Sequence, residues 1–265
     1  MLIKMTFLSR AIVFYFIMAA LVYCVIDKDK LEKGRKIRSH YFFQARAYTD
    51  LVSFLEEEGD LEPGQWRKYA QYADQLRVYI PQSVEAYHLR GVIDYHLDRK
   101  DNAVRSFQMA IRVNPDFFLS YYNLGLVLFE KKEYQEAARV FKAAFQLNPQ
   151  KTVRVLRASK VLYQPLLKSV EREKKINLMD RVKEAYQEAY LMNILCYLNQ
   201  QDYQGLLFAA RAALRSRVGR DEVYVYYQAF ALEQLGLDQS PPATGREGAW
   251  RPPMDSASRF IIRLY

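Results

Sequence analysis

The chain has 265 residues, long enough to bury a sizeable core. Its 39 Lys and Arg against 30 Asp and Glu give a formal charge of +9, compatible with an acidic protein, an anionic lipid surface or nucleic acid, and also with solubility alone. The two cysteines, Cys24 and Cys196, lie far apart and supply no disulfide framework, while Pro and Gly are few and concentrate outside the apolar-periodic segments, which points to an all-helical chain.

In chain order, residues 1–26 read as a membrane anchor. Residues 11–26 carry no charge, and extension back to Phe7 gives 20 residues interrupted by Ser9 and Arg10, enough for a bilayer core of roughly 30 Å. A cleaved signal peptide needs small residues before its cleavage site; the small pair Ala19-Ala20 is followed by further apolar residues, which favours an uncleaved single-span anchor. Residues 27–38 form a basic juxtamembrane segment, with six Lys or Arg within 28–38. That excess places the following domain on the cytoplasmic side; translocating the tail with Lys4 opposes this, and a periplasmic orientation is the alternative.

Helical periodicity then predicts helices at about 39–58, 64–79, 83–98, 101–113, 117–131 and 134–147. Residues 152–175 break the pattern, with an interruption at Pro165, and helices resume at about 178–199, 203–216 and 221–236. Residues 238–265 form a tail containing Pro and Gly that ends in an apolar SRFIIRLY.

A spacing of 34 residues organises the helical part. Pro81, Pro115 and Pro149 recur at that interval, and so do Tyr87 and Tyr121, Gly91 and Gly125, Ala103 and Ala137, Phe107 and Phe141, and Ala110 and Ala144. Gly91 and Gly125 fall in helix interiors, where Gly costs about 1 kcal/mol relative to Ala. Pairing each with a small Ala (Ala103, Ala137) on the following helix predicts close helix approach. Asn114-Pro115 and Asn148-Pro149 should stop the second helices, because the residue before Pro disfavours helical backbone.

Residues 84–117 and 118–151 therefore resemble the tetratricopeptide repeat, a helix–turn–helix unit of 34 residues, at all six signature positions of each unit. The resemblance weakens outward: in a degenerate unit near 187–217, Ile194 replaces the Gly and Leu206 the Ala. It implies an all-α, α–α superhelix of helical hairpins over 39–237, here with an N-terminal transmembrane helix. It also implies a concave partner-binding face lined by His88, Val92, Tyr95, Tyr122, Leu126 and Phe129. This face is apolar and aromatic, and lacks the basic residues of a carboxylate clamp. It suits an amphipathic helix or extended peptide, unless the helices of 152–236 or the C-terminal segment fill it as core.

No nucleophile–base pair, phosphate loop or dinucleotide fingerprint is present, so no catalytic residue, cofactor or metal site is assigned. His88 and His96 fall on one predicted helix without convergent ligands. A basic run at Arg154, Arg157, Lys168, Arg172 and Lys175 reads as a solvated face or as a patch for an acidic partner or membrane. No nucleic-acid-binding module is visible, which disfavours that partner. The sequence thus describes a membrane-anchored, non-enzymatic scaffold or assembly factor. The alternatives are an envelope chaperone for exported clients and an accessory subunit of an envelope enzyme or secretion complex. The partner and the oligomeric state have no signature.

Overall fold

Ser83, Asn177 and Asp202 mark where helices begin. Their side-chain oxygens accept the backbone N–H of Ala86, Met179 and Gly205 respectively at 2.9–3.2 Å, as N-cap residues do. The structure is a computed structural model, and it describes residues 63–79, 81–158, 177–219 and 221–237. The segments read above as the anchor, the juxtamembrane stretch, helix 39–58 and the C-terminal tail lie outside these residues, as do Lys168, Arg172 and Lys175.

The described residues form nine helices: α1 Pro63–Tyr79, α2 Val84–His96, α3 Lys100–Val113, α4 Phe118–Glu130, α5 Tyr134–Ala144, α6 Pro149–Ala158, α7 Leu178–Asn199, α8 Tyr203–Ser216 and α9 Asp221–Gln234. They stack as an all-helical solenoid. The hairpins α2–α3, α4–α5 and α7–α8 pack in sequence, with α1 before them and α9 after. The 34-residue units 84–117 and 118–151 each contribute one hairpin.

The inter-helix turns repeat in detail. Asp98, Lys132, Gln201 and Gly236 each adopt a left-handed backbone, with φ of 56°, 63°, 56° and 65°. At each, the left-handed residue and its successor donate to helix carbonyls three and five residues back: Asp98 to Tyr95 and Arg99 to Asp94, Lys132 to Phe129 and Glu133 to Leu128, Gln201 to Leu198 and Asp202 to Tyr197, Gly236 to Glu233 and Leu237 to Leu232. This pair of bonds satisfies carbonyls that a helix end leaves open. Only one of the four positions is Gly, so composition did not reveal the turn.

The glycines inside α2 and α4 have a different cause from the one the sequence suggested. A Cβ on Gly91 would lie 2.5–2.8 Å from the Phe107 ring, and one on Gly125 2.5–2.8 Å from the Phe141 ring. The aromatic sixteen residues on, not the Ala, sets the demand for Gly. Ala103 and Ala137 are buried elsewhere in the same interface. The degenerate unit solves the same problem in reverse: at the equivalent positions stand Ile194 and Ala210, both buried. Bulk moves from the second helix to the first, which keeps the pair filled.

Asn114 is extended (φ −140°, ψ 97°) and ends α3 before Pro115. At Asn148-Pro149 the outcome differs from expectation. Helix α5 stops at Ala144, and Pro149 opens α6, where a missing N–H costs nothing. Asn148 Oδ1 accepts the N–H of Lys151 at 2.7 Å. The dipeptide here starts a helix. The seat beside α5 is taken by α7, whose N-terminal end also meets α6: Thr152 Oγ1 and Tyr186 Oη are 2.9 Å apart.

Candidate partner-binding face

The six residues expected on the concave face all lie on the two first helices of the full repeats, α2 and α4. Five of them, His88, Val92, Tyr122, Leu126 and Phe129, are buried, and Tyr95 is half-buried. Helical spacing puts His88, Val92 and Tyr95 on one face of α2, and Tyr122, Leu126 and Phe129 on one face of α4. The described neighbours show how the candidate face is built.

His88 stands at its floor. Its Nδ1 is 3.0 Å from Ser120 Oγ, its Nε2 is 3.5 Å from Asn123 Nδ2, and its ring packs edge-on against Phe117. Ser120 and Asn123 are themselves buried, so this is an interior polar cluster joining α2 to α4. Tyr122 lies under α7: its hydroxyl donates to Glu188 Oε2 at 2.7 Å, and Phe118, one turn earlier, stacks on Tyr186 at 3.9 Å between ring centroids. The chain therefore covers Tyr122 and Phe118 with its own later helix. The sequence left open that the helices of 152–236 fill the face, and at Tyr122 and Phe118 they do, though it did not single out the residues responsible. Their signal was the series Tyr186, Tyr190, Asn193 and Tyr197, which keeps helical spacing along one face of α7.

Tyr95 marks the rim. Its hydroxyl donates to Glu130 Oε1 at 2.5 Å, and Lys100 Nζ approaches Glu130 Oε2 at 3.1 Å. Burial, reinforced by the Glu130 carboxylate, pushes the Tyr95 phenol well above its ordinary value, so it remains a hydrogen-bond donor at neutral pH. A second rim tie joins α1 to α2. Arg90 pairs with Asp74 and, at 2.9 Å, with the buried Asp94. Asp94 Oδ1 makes no hydrogen bond among the described residues.

His96 stacks on Trp66 at 4.2 Å and so serves packing between α1 and α2. Among the described residues no group of three His, Cys, Asp or Glu gathers as metal ligands. Cys196 is a buried free thiol whose pKa burial pushes far up, the opposite of a nucleophile's environment. Arg154 and Arg157 of the basic run are exposed on α6. No described helix is long and apolar enough to cross a membrane.

This packing, Gly against Phe twice in register with a left-handed turn between the helices, agrees with comparison to known proteins. Models of the family described as tetratricopeptide repeat match residues 84–117 and 118–151. Those two segments are tetratricopeptide repeats by this match. Human "Tetratricopeptide repeat protein 6" is 34% identical over 61 residues, which is 23% of this chain and 12% of that protein, so the two share only a short stretch of that protein's length. Among solved structures, "MamA RS-1 ArsTM double mutant" aligns at 14% identity and a TM-score of 0.44 over 73% of this chain and 85% of that one. "MamA 41-end from Desulfovibrio magneticus RS-1" aligns at 15% identity and 0.43, over 73% and 86%. Tetratricopeptide repeats imply protein partners in general, and the two full units here are the part of the chain to which that implication applies.

Proposed function

We propose that this protein is a scaffold or assembly factor that holds a protein partner at a membrane, with the N-terminal apolar segment as its single-span anchor. The observation that carries the reading is the pair of consecutive full repeats, 84–117 and 118–151, packed as a stack of hairpins. A stack of this kind offers a preformed surface, which suits holding a partner. The partner engages the rim beside Tyr95, where a phenol, Glu130 and Lys100 present polar groups above an apolar floor of Val92, Leu126 and Phe129. His88 and Tyr122 tie that floor together beneath the contact.

Affinity purification of the full chain from detergent-solubilised membranes tests the reading. One partner in fixed ratio supports a scaffold. Many unfolded clients indicate an envelope chaperone, and a recovered enzyme or secretion assembly indicates an accessory subunit. The anchor has its own test: alkaline carbonate should leave the full chain in the membrane pellet, and its release into the supernatant would remove the single-span assignment. A C-terminal reporter active only in the cytoplasm distinguishes cytoplasmic from periplasmic orientation, the former being expected from the basic residues after the apolar segment.

A further inference from the structure

The last described helix, α9, has the turn of a first helix but, among the described residues, no second helix on its face. Gly236 and Leu237 close it with the same bond pair that closes α2, α4 and α7. Aligning the four helices on that turn equates Gly91, Gly125 and Ile194 with Ala229, a small residue. The same alignment equates Asp94, Leu128 and Tyr197 with Leu232. In the three earlier helices both positions are buried; in α9 both are only partly buried, and Val225, one turn earlier on the same side, is 52% exposed. Tyr224, Tyr227 and Ala231, which face the preceding hairpin, are buried normally. The side left open is thus the one that in α2 and α4 receives the Phe-bearing second helix. Leu237, just past the turn, is 65% exposed beside it.

The chain immediately following does not have the composition to supply that helix. Residues 238–253 contain four Pro and two Gly. Beyond them, residues 254–265 (MDSASRFIIRLY) contain neither, and Ala257, Ile261 and Leu264 repeat the spacing of Ala103, Phe107 and Ala110. Phe260 lies beside them in the same apolar stripe. A 16-residue linker extends to about 55 Å and has a mean span of roughly 22 Å, ample for a return onto a helix about 21 Å long. The charges also agree. Asp221 and Glu222 are exposed at the start of α9, and an antiparallel segment brings Arg263 to that end.

We propose that residues 254–265 seat on the Val225–Ala229–Leu232 face of α9 as the displaced second helix of the unit that α9 begins. A tethered segment needs only weak intrinsic affinity, because the linker holds it at millimolar effective concentration. The sequence of the occupant carries a small-residue, apolar stripe at helical spacing and two arginines.

Hydrogen exchange by mass spectrometry on the full chain in detergent tests this, with sedimentation velocity on the same samples. Deletion of 254–265, or Ile261→Asp, should raise exchange in 221–237 at least tenfold while α2–α5 stay unchanged. Val225→Asp, a change at an exposed position, should likewise raise exchange in 254–265. The particle mass should be that of one chain throughout. Unchanged exchange in α9 on deletion overturns the proposal. So does protection of α9 that disappears on dilution with a halving of mass, since a second copy would then fill the seat. Failure here leaves the partner-binding reading intact, because purification of the partner does not depend on the tail.

Discussion

A glycine in a helix interior costs about 1 kcal/mol of helix propensity, and here the cost is tied to one ring. Gly125→Ala adds a Cβ within 2.5–2.8 Å of Phe141, a residue with no room to retreat. Overpacking of about 1–3 kcal/mol outweighs the propensity gain, so urea unfolding should show a net loss of about 1–2 kcal/mol, relieved when Phe141→Leu is added. Tyr122 distinguishes an open groove from a core. Tyr122→Ala should lower stability by about 3–5 kcal/mol as a buried aromatic does, and Tyr122→Phe by about 1–2 kcal/mol for the bond to Glu188. A Tyr122→Ala protein that melts like the wild type would show the site to be an open groove. The buried tyrosines set the alkaline limit. Burial raises the phenols of Tyr95, Tyr186, Tyr190 and Tyr227, the last to about 12, above the unfolded value of about 10. Between these values the folded state holds protons that the unfolded chain has lost. Their contribution is therefore complete below pH ~10 and declines as pH rises beyond it. Tyrosinate absorbance at 295 nm should show a late fraction that appears together with loss of helical circular dichroism. Full ionisation near pH 10 with the helices intact would contradict this.

At the scale of the element, the exchange of Gly and Phe for Ile and Ala across α7–α8 makes a coupled pair. Ile194→Gly alone opens a cavity and weakens the helix; Ala210→Phe alone forces a ring against Ile194. Each should cost more than 2 kcal/mol, and the double variant should recover at least 1 kcal/mol of the sum in a double-mutant cycle. Additive losses would show that the two side chains do not meet. The same pair shows what was legible beforehand. Gly91, Phe107, Gly125 and Phe141 were visible as a period, since identical residues recur at a fixed interval. Ile194 could be aligned with the Gly position, but its compensation by Ala210 was concealed, because the pair satisfies the same geometry with different residues. The left-handed turns were hidden for a related reason: Asp98, Lys132 and Gln201 tolerate a backbone that Gly would have advertised. Pro149 shows the limit of local rules, because Asn-Pro is equally consistent with ending one helix and opening another, and only the seating of α7 beside α5 distinguishes them. For the candidate face, the helices and their aligned residues were legible. That later helices could cover the face was legible as one of two outcomes; that Glu188 would meet Tyr122 was not, because the two lie 66 residues apart.

Across the whole molecule, the stack is a series of nearest-neighbour interfaces: α1 on α2, α3 on α4, α5 on α7 and α8 on α9. Such a solenoid gains stability unit by unit, and its ends are the weak points. Substitutions in the α4–α5 hairpin should therefore lower the global melting transition, while those on α9 should mainly loosen its own end. The aromatic content follows from the same architecture, since rings such as Phe145 on Tyr190, at 3.9 Å between centroids, weld one hairpin to the next. Placed on a single apolar segment at its N-terminus, this stack would hold one partner at a membrane surface. The most direct measurement is the mass of the tagged full chain purified from detergent-solubilised membranes, by light scattering corrected for detergent. The scaffold account predicts a homogeneous complex of this chain with one partner in fixed integer ratio. A chain recovered alone, or with a heterogeneous and non-stoichiometric set of proteins, would contradict it.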